Sequence, residues 1–230
     1  MGYCSIGNNR IFAMQPELYR KVAQPGAEVE AFFGSSYAKM QAYAQMLAEQ
    51  GELRGLIGPR ELPRIWPRHI LNCAAAEKFL PLGRGVTIAD VGSGAGLPGV
   101  VLAIMRPDLE FFLVEPLARR VVWLEEVKQE LGLDNVEILR SRSQDLPSGQ
   151  RFSAVTSRAV ANLKKLVRIS GKLVAPGGRM LAIKGERAPL ELSAAEAELR
   201  AAKLDSAHIE EVPSLMDDSI TRIIMATKRP

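Results

Sequence analysis

The sequence predicts an α/β protein with a mostly parallel, doubly wound sheet of seven strands and helices on both faces. Apolar runs typical of buried strands alternate with segments of helical periodicity over residues 86–226. The run Val86–Ala89 leads into a glycine-rich loop, and a helical segment, Val100–Met105, follows that loop. Strand, glycine loop and helix form the first unit of a nucleotide-binding sheet.

The same patterns place the remaining elements of the sheet. The predicted strands and the closing antiparallel pair are Leu109–Glu115, Val136–Leu139, Phe152–Thr156, Arg179–Ile183, His208–Val212 and Ile220–Ala226. The predicted helices are Ala118–Leu131, Asn162–Leu173 and Leu190–Ala202. Pro176-Gly177-Gly178 has the composition of a turn.

Residues 1–80 are predicted to form a helical extension packed on a core domain of residues 81–230. From Ala27 the apolar residues recur at steps of three and four, which indicates an amphipathic helix bent near Gly34 and ending near Gly51. A second helix is expected over Glu61–Leu80, interrupted at Pro67. Residues 1–25 show no clear periodicity, and we expect a poorly ordered start.

Composition limits the function classes. The chain has 230 residues, 47% hydrophobic and 24% charged, which suits one domain with an ordinary core. A net charge of +4 permits nucleic-acid binding without requiring it. Cys4 and Cys73 are far apart and only His69 and His208 accompany them, so we expect no disulfide framework and no metal. No signal peptide and no membrane span is recognisable, and we expect a cytoplasmic protein without a membrane partner.

The glycine loop offers two nucleotide ligands. Gly94, Gly96 and Gly99 satisfy the dinucleotide pattern G-x-G-x-x-G by count. The frame Asp90-x-Gly92-x-Gly94-x-Gly96 fits better the acidic loop of enzymes that use S-adenosylmethionine (AdoMet), because a carboxylate can orient the loop and meet a cationic amino group. A pyrophosphate would gain nothing from an acid at that place. A glycine-rich turn without a ligand is the third interpretation.

Two further positions suit a nucleoside. Glu115 ends the second strand 19 residues past Gly96, a spacing typical of a carboxylate that binds ribose hydroxyls. Both AdoMet and NAD carry that ribose. After the third strand, the amide of Gln144 can both accept from and donate to an adenine, next to Ser143. An ordinary polar loop is the alternative there.

The segment Thr156–Val160 follows the fourth strand, where methyltransferases face their substrate. It has no Asn/Asp-Pro-Pro-aromatic motif, and neither cysteine fits a thiolate nucleophile. Arg158 remains, and a guanidinium suits an electron-rich substrate or a phosphate. Upstream, Arg68, His69 and Asn72 fall within about one helical turn and can share either a functional or a solvated face.

Four segments, in this order and spacing, resemble the bacterial small-subunit ribosomal RNA guanine-N7 methyltransferases of the glucose-inhibited division protein B group (RsmG). They are Arg68–Asn72, Asp90–Gly99, Ser157-Arg158-Ala159 and Lys184-Gly185. The resemblance implies a class I AdoMet-dependent methyltransferase (Rossmann-like) fold and methyl transfer to N7 of a guanine in 16S rRNA. Many relatives carry a Val-Glu pair and a further acid where this chain has Ser143-Gln144-Asp145, a departure at the adenine position.

The resulting hypothesis assigns a role to each candidate residue. Arg158 is the predicted catalytic residue, and the predicted AdoMet-binding residues are Asp90, Gly92, Ser93, Gly94, Gly96, Leu97, Glu115, Ser143, Gln144 and Arg158. The predicted RNA-binding residues are Arg68, His69, Asn72, Arg119, Lys164, Lys165 and Lys184. The expected partner is 16S rRNA or a small ribosomal subunit particle, and the expected state is a monomer.

Three alternatives stay open from the sequence. A methyltransferase of the same fold acting on another RNA, a protein or a small molecule would be favoured by a closed apolar pocket. An NAD-dependent oxidoreductase would need a proton relay, and no Ser-Tyr-Lys arrangement is recognisable. An RNA-binding module without catalysis would bind RNA but not AdoMet.

Overall fold

The computed structural model describes residues 21–58 and 60–230, and they form one seven-stranded sheet in the order β3-β2-β1-β4-β5-β7-β6. Neighbours among β1 to β5 are parallel, whereas β7 pairs antiparallel with both β5 and β6. The predicted α/β architecture is therefore confirmed. The strands are β1 Thr87–Val91, β2 Glu110–Val114, β3 Val136–Leu139, β4 Phe152–Arg158, β5 Val174–Lys184, β6 Leu204–Pro213 and β7 Ile220–Lys228.

Helices cover both faces of the sheet. They are α1 Ala27–Phe33, α2 Tyr37–Gln50, α3 Gly99–Met105, α4 Ala118–Leu131, α5 Leu163–Ser170, α6 Ala188–Ala194 and α7 Glu196–Ala201. Successive residues of β1 alternate between two hydrophobic clusters: Ile88 packs with α2, α3 and α4, whereas Ala89 packs with α5 and α7. This alternation follows from the two-residue period of a strand buried on both faces.

The segment before the sheet winds differently from the predicted helix. A 3₁₀ turn, Leu62–Arg64, leads into a π-helix, Ile65–Leu71, a short α-helical turn, Asn72–Ala74, and a second 3₁₀ turn, Glu77–Phe79. Pro67 does not interrupt the winding as predicted, because the wider π-helix continues through it. π-Helical turns are rare and frequent at functional sites.

One predicted turn and one predicted helix differ from the structure. Pro176-Gly177-Gly178 is not a turn between elements but lies within β5, where the register against β4 shifts between Phe152 and Ala154. Gly177 has a φ of +74°, so the chain bulges there and rejoins the ladder at Arg179. The predicted helix Leu190–Ala202 is two helices, because the helical winding is interrupted at Ala195.

The ends of several elements also move. The fourth strand extends to Arg158, two residues beyond the prediction, and β6 begins at Leu204 and bulges between Asp205 and His208. The expectation of a poorly ordered start covers residues 1–25, and all of these but residues 21–25 lie outside the described residues, as does Cys4. None of the helices described is long and apolar enough to cross a membrane.

Candidate functional site

The glycine loop lies between the end of β1 and the start of α3, at the carboxyl edge of the parallel strands. Its tight path needs positive φ values at Gly92, Gly94 and Gly96, which are +72°, +57° and +101°. The N–H of Gly92 and that of Ser93 both donate to the Val114 carbonyl of β2, at 2.8 and 3.3 Å. The loop is therefore anchored to the neighbouring strand on one side and open on the other.

Asp90 holds the start of α3 from inside the protein. Its side chain is fully buried, and its Oδ2 accepts a hydrogen bond from the Gly99 N–H at 3.0 Å. A Cβ at Gly99 would lie 2.7 Å from this carboxylate oxygen, so the close approach requires glycine. Burial raises the pKa of the Asp90 carboxyl to about 6, against the opposing hydrogen bonds from Gly99, Ser93 and Thr156.

Two aromatic side chains fix the middle of the loop. The hydroxyl of Tyr43, on α2, and the indole Nε1 of Trp123, on α4, each donate to the Ala95 carbonyl at 2.8 Å. Tyr43 and Trp123 are fully buried. In the sequence, Tyr43 belongs to the apolar face of the helix predicted from Ala27, and no sequence signal distinguishes a tyrosine that bonds a distant carbonyl from one that only packs.

Glu115 joins the end of β2 to the glycine loop. It is 2% exposed; its Oε2 accepts from the Gly94 N–H and its Oε1 from the Leu117 N–H, both at 2.9 Å. Arg120 approaches the same carboxylate at 3.7 Å, and its Nε is buried without a hydrogen-bond partner among the described residues. A buried carboxylate beside the loop has capacity left for further donors.

The open side of the loop has the shape that a bound cofactor requires. An added Cβ at Gly94 would meet only the Gly92 carbonyl oxygen and Arg120 Nη1, both at 3.7 Å. Open space therefore lies in front of Gly94, bordered by the carboxylate of Glu115 and the guanidinium of Arg120. These residues fit a cofactor with hydroxyl donors and a polar tail.

Arg158 is held by the π-helix of the N-terminal segment. Its Nη2 donates to His69 Nδ1 at 2.9 Å, and its Nη1 donates to the Arg68 carbonyl at 3.0 Å. His69 Nε2 in turn donates to Glu61 Oε2 at 2.9 Å, and the same oxygen lies 3.2 Å from Arg68 Nε. The chain Glu61–His69–Arg158 sets the direction of the guanidinium.

The geometry determines the tautomer of His69. Burial and the charge of Arg158 lower the pKa of this imidazole to about 4, against the opposing effect of Glu61. A neutral ring that accepts at Nδ1 carries its proton at Nε2, where Glu61 accepts it. Glu61 was not selected from the sequence, because it is eight residues from His69 and belongs to no motif.

A cavity of about 960 Å³ opens beside Arg158 at the carboxyl edge of the sheet. Four of the residues predicted for catalysis or RNA binding line it, namely Arg68, Asn72, Arg158 and Lys184. Its wall also includes Val160, which lies against Gly92. A Cβ added at Gly92 would lie 2.6 Å from Val160 Cγ2. Val160 thus separates the cavity from the glycine loop by one side chain.

The predicted RNA-binding residues lie in three different kinds of place. Lys184 donates to the Ala161 carbonyl and pairs with Glu191 at 2.9 Å, and Asn72 donates to the Thr221 hydroxyl, so both brace the cavity wall. His69 is 7% exposed and has both ring nitrogens bonded within the protein. The exposed side chains of Arg119, Lys164 and Lys165 lie outside the cavity lining.

The two residues predicted to contact the adenine, Ser143 and Gln144, follow the end of β3. Ser143 is buried in a short 3₁₀ turn, Ser143–Asp145, and its hydroxyl lies 3.4 Å from Gln144 Oε1. The Gln144 side chain is exposed, and the backbone carbonyl of Gln144 accepts a hydrogen bond from Lys172. Their contact with a cofactor stays a prediction.

The remaining titratable side chains limit which nucleophiles and metal sites the protein can provide. Burial raises the pKa of the Cys73 thiol to about 11, so this cysteine is no thiolate nucleophile. Among residues 21–58 and 60–230, no group of histidine, cysteine, aspartate and glutamate side chains is arranged to hold a metal ion. The cavity carries carboxylates that sequence analysis did not select, including Glu186, Asp217 and Asp218.

Comparison with known proteins identifies the family. The model of the family described as rRNA small subunit methyltransferase G matches residues 36–219. The chain belongs to this family. A Ribosomal RNA small subunit methyltransferase G from Leifsonia xyli subsp. xyli is 44% identical over 206 residues, covering 90% of this chain and 97% of that protein.

Two further relatives of the same name match a shorter segment. The protein from Beutenbergia cavernae is 54% identical over 144 residues, 61% of this chain and 67% of that protein. The protein from a Nocardioides species is 53% identical over 143 residues, 62% of this chain and 56% of that protein. These alignments therefore span between half and about two thirds of those relatives.

Solved structures agree on the fold. A SAM-dependent methyltransferase from Aquifex aeolicus superimposes with a TM-score of 0.53 at 18% identity, covering 77% of this chain and 97% of that chain. A SAM-dependent O-methyltransferase from Thermotoga maritima superimposes with a TM-score of 0.55 at 17% identity, covering 74% and 70%. This member of the rRNA small subunit methyltransferase G family thus has the class I methyltransferase fold that the sequence predicted.

Proposed function

We propose that the protein transfers a methyl group from AdoMet to N7 of a guanine in 16S rRNA. Membership of the small-subunit rRNA methyltransferase family supports the reaction and the substrate. The observation that carries the proposal is the junction at Val160, which lines the polar cavity and also contacts the glycine loop at Gly92. A methyl group held at the loop and a base held in the cavity would be neighbours beside Val160.

The chain's own residues hold the cofactor in this proposal. AdoMet, when bound, supplies a methyl group already activated on a sulfonium. Glu115 accepts hydrogen bonds from ribose hydroxyls, the loop at Gly92–Leu97 receives the polar tail, and Ser143 with Gln144 borders the adenine. Asp90 orients the loop through Gly99 rather than through solvent, because its carboxylate is fully buried.

No residue has to remove a proton. Guanine N7 has a lone pair in the ring plane and no hydrogen, so catalysis reduces to positioning and electrostatics. This agrees with a site that offers neither a thiolate nor a basic histidine, since Cys73 and His69 both favour their neutral forms. Arg158 acts by orienting substrate or cofactor through its fork of donors.

The cavity suits a guanine nucleotide. Its cations can contact phosphates and guanine O6, whereas its carboxylates can accept from the N1–H and N2–H₂ edge. A methylated guanine is positively charged, so carboxylates such as Asp217 and Asp218 in the wall favour the product where a purely cationic wall would oppose it. A polar, mixed-charge wall does not suit the alternative of a small apolar substrate.

The proposal includes the remaining expectations. The partner is 16S rRNA or a small ribosomal subunit particle, the protein acts in the cytoplasm as a monomer, and its affinity for rRNA falls with salt. Residues 1–80 act as an extension of the domain formed by residues 81–230, because buried side chains of both belong to one hydrophobic cluster.

Mass mapping of 16S rRNA tests the function directly. A strain lacking the gene should lose one N7-methylguanine, a plasmid copy of the wild-type gene should restore it, and the Arg158→Ala copy should not. Unchanged 16S rRNA in the deletion strain would reject the proposal, and loss of a methyl group from another RNA would move the activity to that substrate.

A further inference from the structure

A second cavity lies at the opposite edge of the sheet and plays no part in the proposed reaction. It has a volume of about 840 Å³ and lies between the C-terminal parts of α5 and α7, the start of β5 and the end of β7. Its walls carry six cationic side chains, Arg151, Arg168, Lys172, Lys203, Lys228 and Arg229. Among the residues that line it, Glu198 is the one with an acidic side chain.

Few of these charges are neutralised within the protein. Glu198 pairs with Arg168 at 2.6 Å, and Arg229 pairs with Asp205. In residues 21–58 and 60–230 no carboxylate lies within ion-pair distance of the four other cations, Arg151, Lys172, Lys203 and Lys228. The side chains of Arg151, Lys172 and Lys228 donate hydrogen bonds to backbone carbonyls, as from Lys172 to Gln144.

The unpaired cations are close enough to repel each other. Burial, followed by the charges of Arg151 and Lys203, lowers the pKa of the Lys228 ammonium. Lys228 is held in place by hydrogen bonds to the Gly171 and Ala202 carbonyls. Like charges gathered around a concave surface favour an anionic partner with several charges.

We propose that this cavity binds phosphates of the folded RNA substrate, at a second contact remote from the methyl-transfer site. The proposal rests on the proposed function, which supplies RNA as the polyanion. Arg151 directly precedes β4 and Arg158 ends it, so the two contacts are about 23 Å apart at a rise of about 3.3 Å per residue. A few nucleotides around the target guanine reach only the carboxyl edge, whereas a folded RNA can reach both edges.

The test compares two doubly neutralised variants. Arg151→Gln/Lys203→Gln removes two exposed cations from the cavity, and Lys39→Gln/Lys128→Gln removes two cations from α2 and α4, outside it. Binding of each to protein-free 16S rRNA is measured by filter retention over a series of salt concentrations. Thermal unfolding and AdoMet titration check that the fold and the glycine loop are unchanged.

We expect the cavity variant to bind about tenfold more weakly and its log–log salt slope to be smaller by about one to two, as two lost phosphate contacts require. The control variant should keep the wild-type slope. Equal slopes in both variants would overturn the proposal. A difference seen only with assembled small subunits would assign the cavity to a ribosomal protein and overturn it as well.

The single-turnover rate at saturating RNA separates this inference from the proposed function. The cavity variant should retain the wild-type rate, because it weakens binding without touching the reaction site. Absence of methyl transfer by the wild-type protein would reject the proposed function, while the comparison of salt slopes would still decide the cavity.

Discussion

The guanidinium of Arg158 donates through Nη2 to Nδ1 of His69 at 2.9 Å, joining positions 89 residues apart in the sequence. The hydrogen bond links the last residue of β4 to the π-helix, and Glu61 fixes the imidazole from the other side at 2.9 Å. The predicted catalytic residue is therefore positioned by two side chains that precede the sheet.

Arg158→Ala should abolish most methyl transfer while the fold is retained. The substitution removes a guanidinium whose Nη atoms carry two directed hydrogen bonds, and Arg158→Lys should rescue incompletely because an ammonium lacks the planar fork. Single-turnover methylation of small-subunit particles measures each rate. A wild-type rate in the alanine variant would remove Arg158 from the site.

Two substitutions of His69 test its role as a positioning residue. Asparagine places an acceptor near Nδ1 and keeps a partner for Arg158, whereas glutamine reaches toward Nε2 and keeps a partner for Glu61. We expect His69→Asn to retain several-fold more single-turnover activity than His69→Gln at saturating substrate. Equal loss in both, with equal thermal stability, would show that the imidazole supports the fold without orienting Arg158.

Opposed pH effects on stability are expected from His69 and Asp90. The lowered pKa of His69, about 4 against 6.5, gives stability that is present above pH 6.5 and is lost as pH falls toward 4. The raised pKa of Asp90, about 6 against 3.8, gives stability that is present below pH 3.8 and is lost as pH rises toward 6. Each contribution is about 3 kcal/mol at most, so the two nearly cancel between pH 4 and 6.

Substitution should reveal each contribution separately. Relative to wild type, Asp90→Asn should become more stable as pH rises from 4 to 6, and His69→Asn should become less stable over the same range. Urea unfolding at a series of pH values measures both differences. Parallel stability curves for the variants and the wild type would contradict the assignment of these two groups.

Gly94→Val should block AdoMet binding. The side chain would enter the open space in front of the loop, and the φ of +57° would add backbone strain of about 1–2 kcal/mol. Gly132→Val is the matched control, because Gly132 has a φ of +58° and open space but caps α4 away from the site. Calorimetry should show that AdoMet binding is lost in Gly94→Val and retained in Gly132→Val. Equal affinity in both variants would show that the bound AdoMet does not lie against Gly94.

Local patterns in the sequence determined the strands, most helices and the glycine loop. Apolar runs and the spacing of Asp90, Gly94 and Gly96 act over a few residues, so burial and backbone conformation follow from the neighbouring chain. The same locality placed Glu115 at the end of β2, where its carboxylate accepts from the Gly94 N–H. Its binding of a ribose stays a prediction.

The tertiary structure decided which distant groups meet. The hydroxyl of Tyr43 reaches the Ala95 carbonyl, and Glu61 reaches Arg158 through His69, because helices that precede the sheet pack beside its carboxyl edge. The tertiary structure also decided the conformation at Gly177, where the sequence predicted a turn. The chain forms a bulge within β5 there, because pairing with β4 stabilises the strand on both sides of the bulge. Such contacts depend on strand order and packing, which no local pattern of residues encodes.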